Sequence, residues 1–370
     1  MDCEHMIPRM LTEMPQRIPV DGTFELTVRC NLHCKMCLFR HDDSENAEIM
    51  KKELTAEQWI DMAKQAAEAG TFSLLITGGE PMLRPDFCEI WEGIYKLGFI
   101  LELYTNATLV TPKIMETLRK YPPHRIGITM YGASEETYEK TCGDGKAYGK
   151  MLKGIQQLSS LPSMMTFRTT IIKDNYCDVH AMEQYVEENF HKTLVETRVV
   201  TKAVRGGCAD VESCRLNPKD NIDLLLHRAV EKAEEKVRKQ GYIPSGYDVQ
   251  VTSKKESEIA DGKKSVTLLG CNAGMESYTI SWDGKMLGCQ LLGRFSRDVK
   301  KETFKDAWNN LVYEFELPEL CEKCCQCKHY DICEACPATR YAETGDMGGC
   351  IPYLCKDVEE LLKYVNRKGE

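Results

Sequence analysis

The sequence predicts an α/β fold: a partial (β/α)6 TIM-like barrel followed by a small cysteine-rich C-terminal domain. Three observations carry that expectation. Short β-type runs alternate with longer amphipathic segments from Phe24 to about Thr201, the pattern of parallel strands joined by crossover helices. The composition changes sharply at Cys271, and from there ten cysteines fall within 85 positions. Finally, 370 residues, 42% hydrophobic and 28% charged, suffice to bury one large core beside a smaller unit.

The strands are expected at Phe24–Val28, Phe72–Thr77, Phe99–Thr105, Arg125–Met130, Thr166–Ile172 and Leu194–Val200, which gives six βα units. The first long connecting helix has clear punctuation. Thr55 and Gln58 can form a capping box, apolar Ile60, Ala63, Ala66 and Ala67 recur near helical spacing, and Gly70 sits where the helix should stop. In such a barrel, reactive groups gather at the carboxyl ends of the strands. The expected organisation is an N-terminal arm at 1–20, the barrel at 21–235, a bridge at 236–270, the cysteine-rich domain at 271–356 and a C-terminal helix or tail at 357–370. A charged helical stretch, Asp223–Gln240, and a polar segment, Ser253–Lys264, lead across the bridge. There is no repeat of fixed period and no low-complexity tract.

Several classes of function are disfavoured. A formal net charge of -9 argues against a nucleic-acid partner, because phosphate binding normally needs a basic face. Met1 to Val20 is broken by Pro8, Pro15 and Pro19 and lacks the apolar core of a signal peptide. No later stretch is long and uncharged enough to cross a bilayer, so a cytoplasmic protein without a membrane partner is expected. The 19 cysteines are then better read as metal ligands or buried thiols than as disulfides.

Cys30, Cys34 and Cys37 lie in the first βα loop, directly after the first expected strand. Three thiolates at this spacing can face inward and bind three corners of a [4Fe-4S] cube, leaving one iron open. A structural zinc site would want four protein ligands. His33 is available, but next to Cys34 it is more simply a solvent-facing loop residue. The second strand ends in Ile76-Thr77-Gly78-Gly79-Glu80-Pro81. Glycines there let the backbone approach a ligand closely, and Glu80 can accept hydrogen bonds from an ammonium group; a plain Gly-Gly turn is the alternative. Tyr104-Thr105-Asn106 closes strand three, Thr129 to Gly132 closes strand four, and Arg168 lies on strand five. Thr105 and Asn106 can equally cap the next turn, and Arg168 can be a salt-bridge partner.

The C-x-x-x-C-x-x-C run resembles the signature of the radical S-adenosylmethionine (SAM) superfamily, and Gly78, Gly79, Glu80 and Pro81 look like that family's GGE(P) motif. The resemblance implies an enzyme in which the open iron of a [4Fe-4S] cluster binds SAM, whose amino group the GGE motif holds. Thr105, Asn106, Thr129 and Arg168 would contact the SAM ribose and carboxylate. One-electron cleavage would yield methionine and a 5′-deoxyadenosyl radical that abstracts hydrogen from an unactivated C–H bond. No residue is singled out as a general base.

Further on, Tyr278 to Ser281 and Trp282-Asp283-Gly284-Lys285 form a hairpin signal with Asp-Gly at the turn, returning Cys289 to the hairpin base. A helical segment is expected around Phe304–Val312. Cys324-x-x-Cys327 and Cys333-x-x-Cys336 look like a zinc ribbon, but ribbons place ~15–20 residues between such pairs and here five intervene. Eight or more thiolates suit iron–sulfur clusters better.

The arrangement resembles the SPASM domain of radical SAM enzymes. By position, that resemblance assigns Cys271, Cys289 and Cys336 to an inner auxiliary [4Fe-4S] cluster, and Cys324, Cys327, Cys333 and Cys355 to an outer one, giving one or two auxiliary clusters. Two departures limit the transfer. Cys333 and Cys336 are separated by two residues where the family has three, and Cys321, Cys325 and Cys350 are extra candidates. Cys350 can replace Cys355, and the inner cluster can be left with an open iron. Cys3, Cys88, Cys142, Cys177, Cys208 and Cys214 lack ligand-like spacing and are expected to be buried, inert thiols.

The resemblance further implies an oxidative reaction on a peptide or protein, forming a thioether or carbon–carbon crosslink or a related side-chain oxidation. Flavodoxin or ferredoxin would donate the electron. Sulfatase maturases carry an acidic residue after the position of Cys289, and Gln290 here lowers the formylglycine reading. Little room precedes the first strand for a separate peptide-recognition domain of ~80–100 residues, so a leader peptide would dock on the barrel or on another protein. The alternatives are a small-molecule radical SAM dehydrogenase or cofactor-biosynthesis enzyme and, further off, a non-catalytic iron–sulfur scaffold.

Overall fold

A computed structural model describes residues 17–206, 211–227, 271–315, 319–333 and 335–367. Packing divides the chain into two compact units, one of residues 1–215 with 266–317, the other of residues 216–265 with 318–370.

The first unit is built on six parallel strands: β1 (Asp21–Glu25), β2 (Ser73–Thr77), β3 (Ile100–Thr105), β4 (Arg125–Thr129), β5 (Met164–Thr170) and β6 (Leu194–Thr197). Three further strands follow: β7 (Ser277–Ile280), β8 (Lys285–Leu287) and β9 (Ser296–Asp298). All nine form one sheet in the order β6-β5-β4-β3-β2-β1-β7-β8-β9. Its two ends do not meet, so the barrel is partial. The hairpin foreseen at Asp-Gly is present. Gly284 takes φ +83°, a conformation that suits glycine at a tight turn, and β7 pairs antiparallel with β8. The sequence did not show that β7 would join the barrel's sheet, which it does by pairing parallel with β1, Asp21 opposite Ser277.

Helices cover the sheet. The principal ones of this unit are α1 (Asn46–Lys52), α2 (Ala56–Glu68), α3 (Phe87–Tyr95), α4 (Pro112–Lys120), α5 (Glu135–Cys142), α6 (Ala147–Leu158), α7 (Val179–Phe190) and α8 (Phe304–Leu311). The capping box of α2 forms as its sequence requires: Gln58 N donates to Thr55 Oγ1, and Thr55 N donates to Gln58 Oε1. The core lies between helices and sheet. Fully buried Phe24 meets Trp59 at 4.9 Å between ring centres, and burying each such side chain contributes about 1.5–3 kcal/mol.

Strand bounds differ from expectation by up to three residues: β1 starts at Asp21 rather than Phe24, β5 ends at Thr170 rather than Ile172, and β2, β3 and β4 are each one residue shorter. β1 ends at Glu25 rather than Val28, because Leu26–Arg29 leave the ladder to pack on the turn after β2. β5 begins two residues earlier than expected, and β6 stops at Thr197.

In the second unit, a short helix Glu322–Cys325 precedes α9 (Pro337–Thr344) and α10 (Pro352–Arg367). The helical stretch expected from Asp223 is helical over its described part, residues 218–227. The polar segment Ser253–Lys264, Cys3 and Cys208 lie outside the described residues. Among the described residues, no helix is long and apolar enough to cross a membrane.

Candidate active site

The segment after β1 and the turn after β2 are zipped together: Gly79 N donates to Thr27 O (2.7 Å) and Glu80 N to Arg29 O (3.0 Å). A Cβ on Gly78 would lie 2.3 Å from Thr27 O, and one on Gly79 would lie 2.3 Å from Arg29 O. The close approach expected of these glycines toward a ligand is thus made first toward the chain itself. Arg84 braces the same segment by donating to Leu26 O (2.9 Å) and Leu54 O (3.0 Å). Arg29 adds a bidentate pair with Glu53 at 2.9 and 3.0 Å.

Cys30, Cys34 and Cys37 follow on a loop docked against the end of α5, where helix carbonyls lack partners. His33 N donates to Cys142 O (2.9 Å) and Lys35 N to Thr141 O (3.0 Å). Donors point at the sulfurs: Leu32 N to Cys30 Sγ (3.4 Å), Phe39 N to Cys37 Sγ (3.4 Å) and Asn106 Nδ2 to Cys30 Sγ (3.8 Å). Burial, then the charge of Glu80, pushes the Cys30 thiol up to about 12. Cys34 is raised well above its ordinary range, first by a hydrogen bond with Cys142 and then by burial; burial also raises Cys37. Buried thiols of this kind lose their protons only against a compensating positive charge, which bound metal supplies. With three sulfurs on one loop and N–H groups aimed at two of them, the residues fit an iron–sulfur cluster. His33 faces outward as expected, 2.9 Å from Asp43.

Glu80 is wholly buried. Its carboxylate accepts from Thr105 Oγ1 (2.9 Å to each oxygen), Asn106 N (2.8 Å) and Met82 N (3.0 Å). Burial raises its pKa to about 7, with those hydrogen bonds pulling the other way. Pro81 and Met82 are buried behind it. Asn106 Nδ2 also reaches Asn31 Oδ1 at 3.0 Å, so Glu80, Thr105, Asn106 and Cys30 form one connected cluster.

Thr129 ends β4, paired in register with Arg168 on β5. Among the described residues Arg168 forms no ion pair; its guanidinium stacks 3.9 Å from the Tyr104 ring centre and donates to Tyr104 Oη at 2.7 Å. Its Nε is buried without a partner among the described residues, a donor suited to an anionic ligand group.

Sequence reasoning missed three contributors. Tyr131 lies near Cys34, and buried Cys142, read as inert, also neighbours Cys34. Arg205 pairs with buried Glu25 at 2.7 Å twice and lies over the Phe39 ring beside Cys37. Only the position of Tyr131 at the end of strand four hinted at any of these.

The family model of the radical SAM superfamily matches residues 24–186. The chain carries a radical SAM domain. It is therefore an enzyme, and the superfamily implies a [4Fe-4S] cluster and SAM. The chain is 28% identical over 353 residues to the AdoMet-dependent heme synthase of Methanosarcina barkeri, covering 93% of this chain and 97% of that protein. It is 25% identical to the antilisterial bacteriocin subtilosin biosynthesis protein AlbA of Bacillus subtilis, covering 90% of this chain and 67% of that one. Among solved structures, Streptococcus suis SuiB superposes with a TM-score of 0.65 at 16% identity, covering 92% of this chain and 77% of that chain. AdoMet-bound anSMEcpe gives 0.64 at 18% identity, covering 95% and 98%. At these identities the structures establish a shared fold.

Beyond the matched radical SAM segment, the remaining cysteines fall in both units. In the first unit, Gly274 and Gly288 pack together: a Cβ on Gly288 would lie 3.2 Å from Gly274 Cα. This crossing carries exposed Cys271 and half-buried Cys289 on its two arms.

In the second unit, Cys324, Cys327, Cys333, Cys350 and Cys355 line a cavity of about 130 Å³. Cys350 Sγ and Cys355 Sγ are 3.4 Å apart. Cys336 is exposed and does not line it; its sulfur caps α9, accepting from Thr339 N at 3.4 Å. Exposed Cys325 meets Leu320 O, and neither it nor Cys321 reaches the cavity. Among the described residues, no three His, Cys, Asp or Glu side chains converge as closely as a single metal ion requires. Two of the thiols expected to be buried are not: Cys177 is exposed and Cys88 half-buried, whereas Cys142 and Cys214 are buried.

Proposed function

We propose that Cys30, Cys34 and Cys37 hold the SAM-cleaving cluster. The observation that carries this is that the three thiols share one loop, with Cys30 Sγ against Asn106 and the segment leading into the loop bonded to the Gly78-Gly79-Glu80-Pro81 turn. When bound, the cluster supplies the single electron that splits SAM into methionine and a 5′-deoxyadenosyl radical. The chain's part is to hold SAM and to exclude water. In this reading the turn and Thr105, Asn106 and Thr129 line the SAM site, and the free Nε of Arg168 meets its carboxylate. Glu80, already engaged by three donors, acts mainly by fixing the turn.

The cysteine cavity of the second unit is read as the outer site of a SPASM-type domain, with Cys324, Cys327 and Cys333 as ligands and Cys355 or Cys350 as the fourth. Cys271 and Cys289 are retained as ligands of an inner cluster. Such clusters take up the electron left by an oxidative reaction, while a flavodoxin or ferredoxin supplies the first one.

Two substrate classes follow. The heme synthase relative, matched over nearly its whole length, and an Fe-coproporphyrin III synthase of the same organism, 25% identical over 84% of this chain, favour an iron porphyrin substrate and a cofactor-biosynthesis role. AlbA, a bacteriocin biosynthesis protein, favours oxidative modification of a peptide or protein, through a crosslink or related side-chain change. The greater coverage of the heme synthase puts the weight on the first.

The test is anaerobic turnover of reduced protein with SAM, offered an iron coproporphyrin in one arm and peptides encoded beside the gene in the other. Release of 5′-deoxyadenosine with loss of mass from one substrate assigns the class. Release that persists in the C30A/C34A/C37A protein would defeat the assignment of the three cysteines.

A further inference from the structure

The second unit contains a buried cation for which no carboxylate partner is found among the described residues. Arg340, on α9, is 2% exposed. Its Nη1 donates to Cys324 Sγ at 3.1 Å and to Gly349 O at 2.7 Å, and its Nε donates to Ala335 O at 3.2 Å. The guanidinium is charged at any physiological pH, and a buried charge is tolerated only when it is paired. Of these three partners, two are neutral carbonyls, so the Cys324 sulfur is the one able to carry negative charge. A protonated thiol leaves the cation unbalanced; a metal-bound thiolate balances it. A second cation faces the same cavity: Lys323 lines it alongside Cys350.

We propose that Arg340 is a positioning residue for an iron–sulfur cluster in this cavity, and that its hydrogen bond to Cys324 Sγ raises that cluster's reduction potential. The inference rests on the reading of the cavity as a cluster site. One-electron reduction adds one negative charge to the cluster, and a fixed cation bonded to a ligand sulfur stabilises the reduced form more than the oxidised form. Hydrogen bonds to the sulfurs and solvent exposure are among the determinants of cluster potential, and the cavity wall here supplies both a donor and burial. The function would be to make the cluster a better electron acceptor, which suits an oxidative reaction.

The experiment uses the full chain as C30A/C34A/C37A with C271A and C289A added, so that neither the N-terminal cluster nor an inner one contributes signal. The protein is reconstituted anaerobically with iron and sulfide and titrated potentiometrically, with the reduced state followed by electron paramagnetic resonance. R340Q should make reduction about tenfold less favourable, which is ~59 mV for a one-electron couple, at unchanged iron content. R340K keeps the charge but loses the planar fork and should shift in the same direction by less. Midpoints that match the Arg340 protein in both variants, or that move to higher potential, overturn the proposal. Should R340Q fail to accumulate, R340K decides, and an unshifted midpoint there overturns it. Absence of iron and sulfide from that starting variant itself would instead overturn the cluster reading.

Discussion

Glu80 joins the ends of two strands through a carboxyl group whose burial resists ionisation. Its pKa is about 7 in the fold against an ordinary value of 4.5, so the folded state binds a proton that the unfolded chain releases. The stability this confers is complete below about pH 4.5 and is lost as pH rises through about 7, of the order of ~3 kcal/mol across that span. Urea denaturation at a series of pH values should show that decline in the parent protein and a flatter profile in E80Q. Both Glu80 and the three thiols were legible because the chemistry sat in contiguous motifs. Tyr131, Cys142 and Arg205 were not, since each meets the cysteine loop only through the fold. Arg340 was equally silent, being unremarkable until its burial and its sulfur partner are known.

At the level of elements, punctuation was readable where both partners are local. Thr55 and Gln58 cap α2, and Gly284 turns the β7–β8 hairpin, as their neighbours in sequence dictate. β1 failed at its end because a distant pair of glycines draws Leu26–Arg29 off the ladder, and no local propensity reports that. The same contact makes a prediction. G79A places a Cβ 2.3 Å from a backbone oxygen and should cost about 1–3 kcal/mol. G149A, exposed within α6 with nothing within 4 Å, should stabilise by about 0.5–1 kcal/mol. Equilibrium denaturation of the two variants measures the contrast, and equal effects would show that the turn has slack.

Across the whole molecule, the two units have different sources of cohesion. The first buries a continuous aromatic and aliphatic core between sheet and helices. The second surrounds five cysteines, so bound metal should contribute more of its stability. Anaerobic calorimetry should therefore show iron loading raising one transition strongly while the transition of the sheet moves little; a single transition shifting as a unit would contradict this.

The pairing of β1 with β7 has a kinetic consequence as well. During ribosomal synthesis the first strand emerges more than two hundred residues before its neighbour on one side. For that interval an unpaired edge stands open to other nascent chains. Closing it brings together residues very distant along the chain, a slow step in any folding route. Efficient production of this protein should thus depend on chaperone capacity and on unhurried translation.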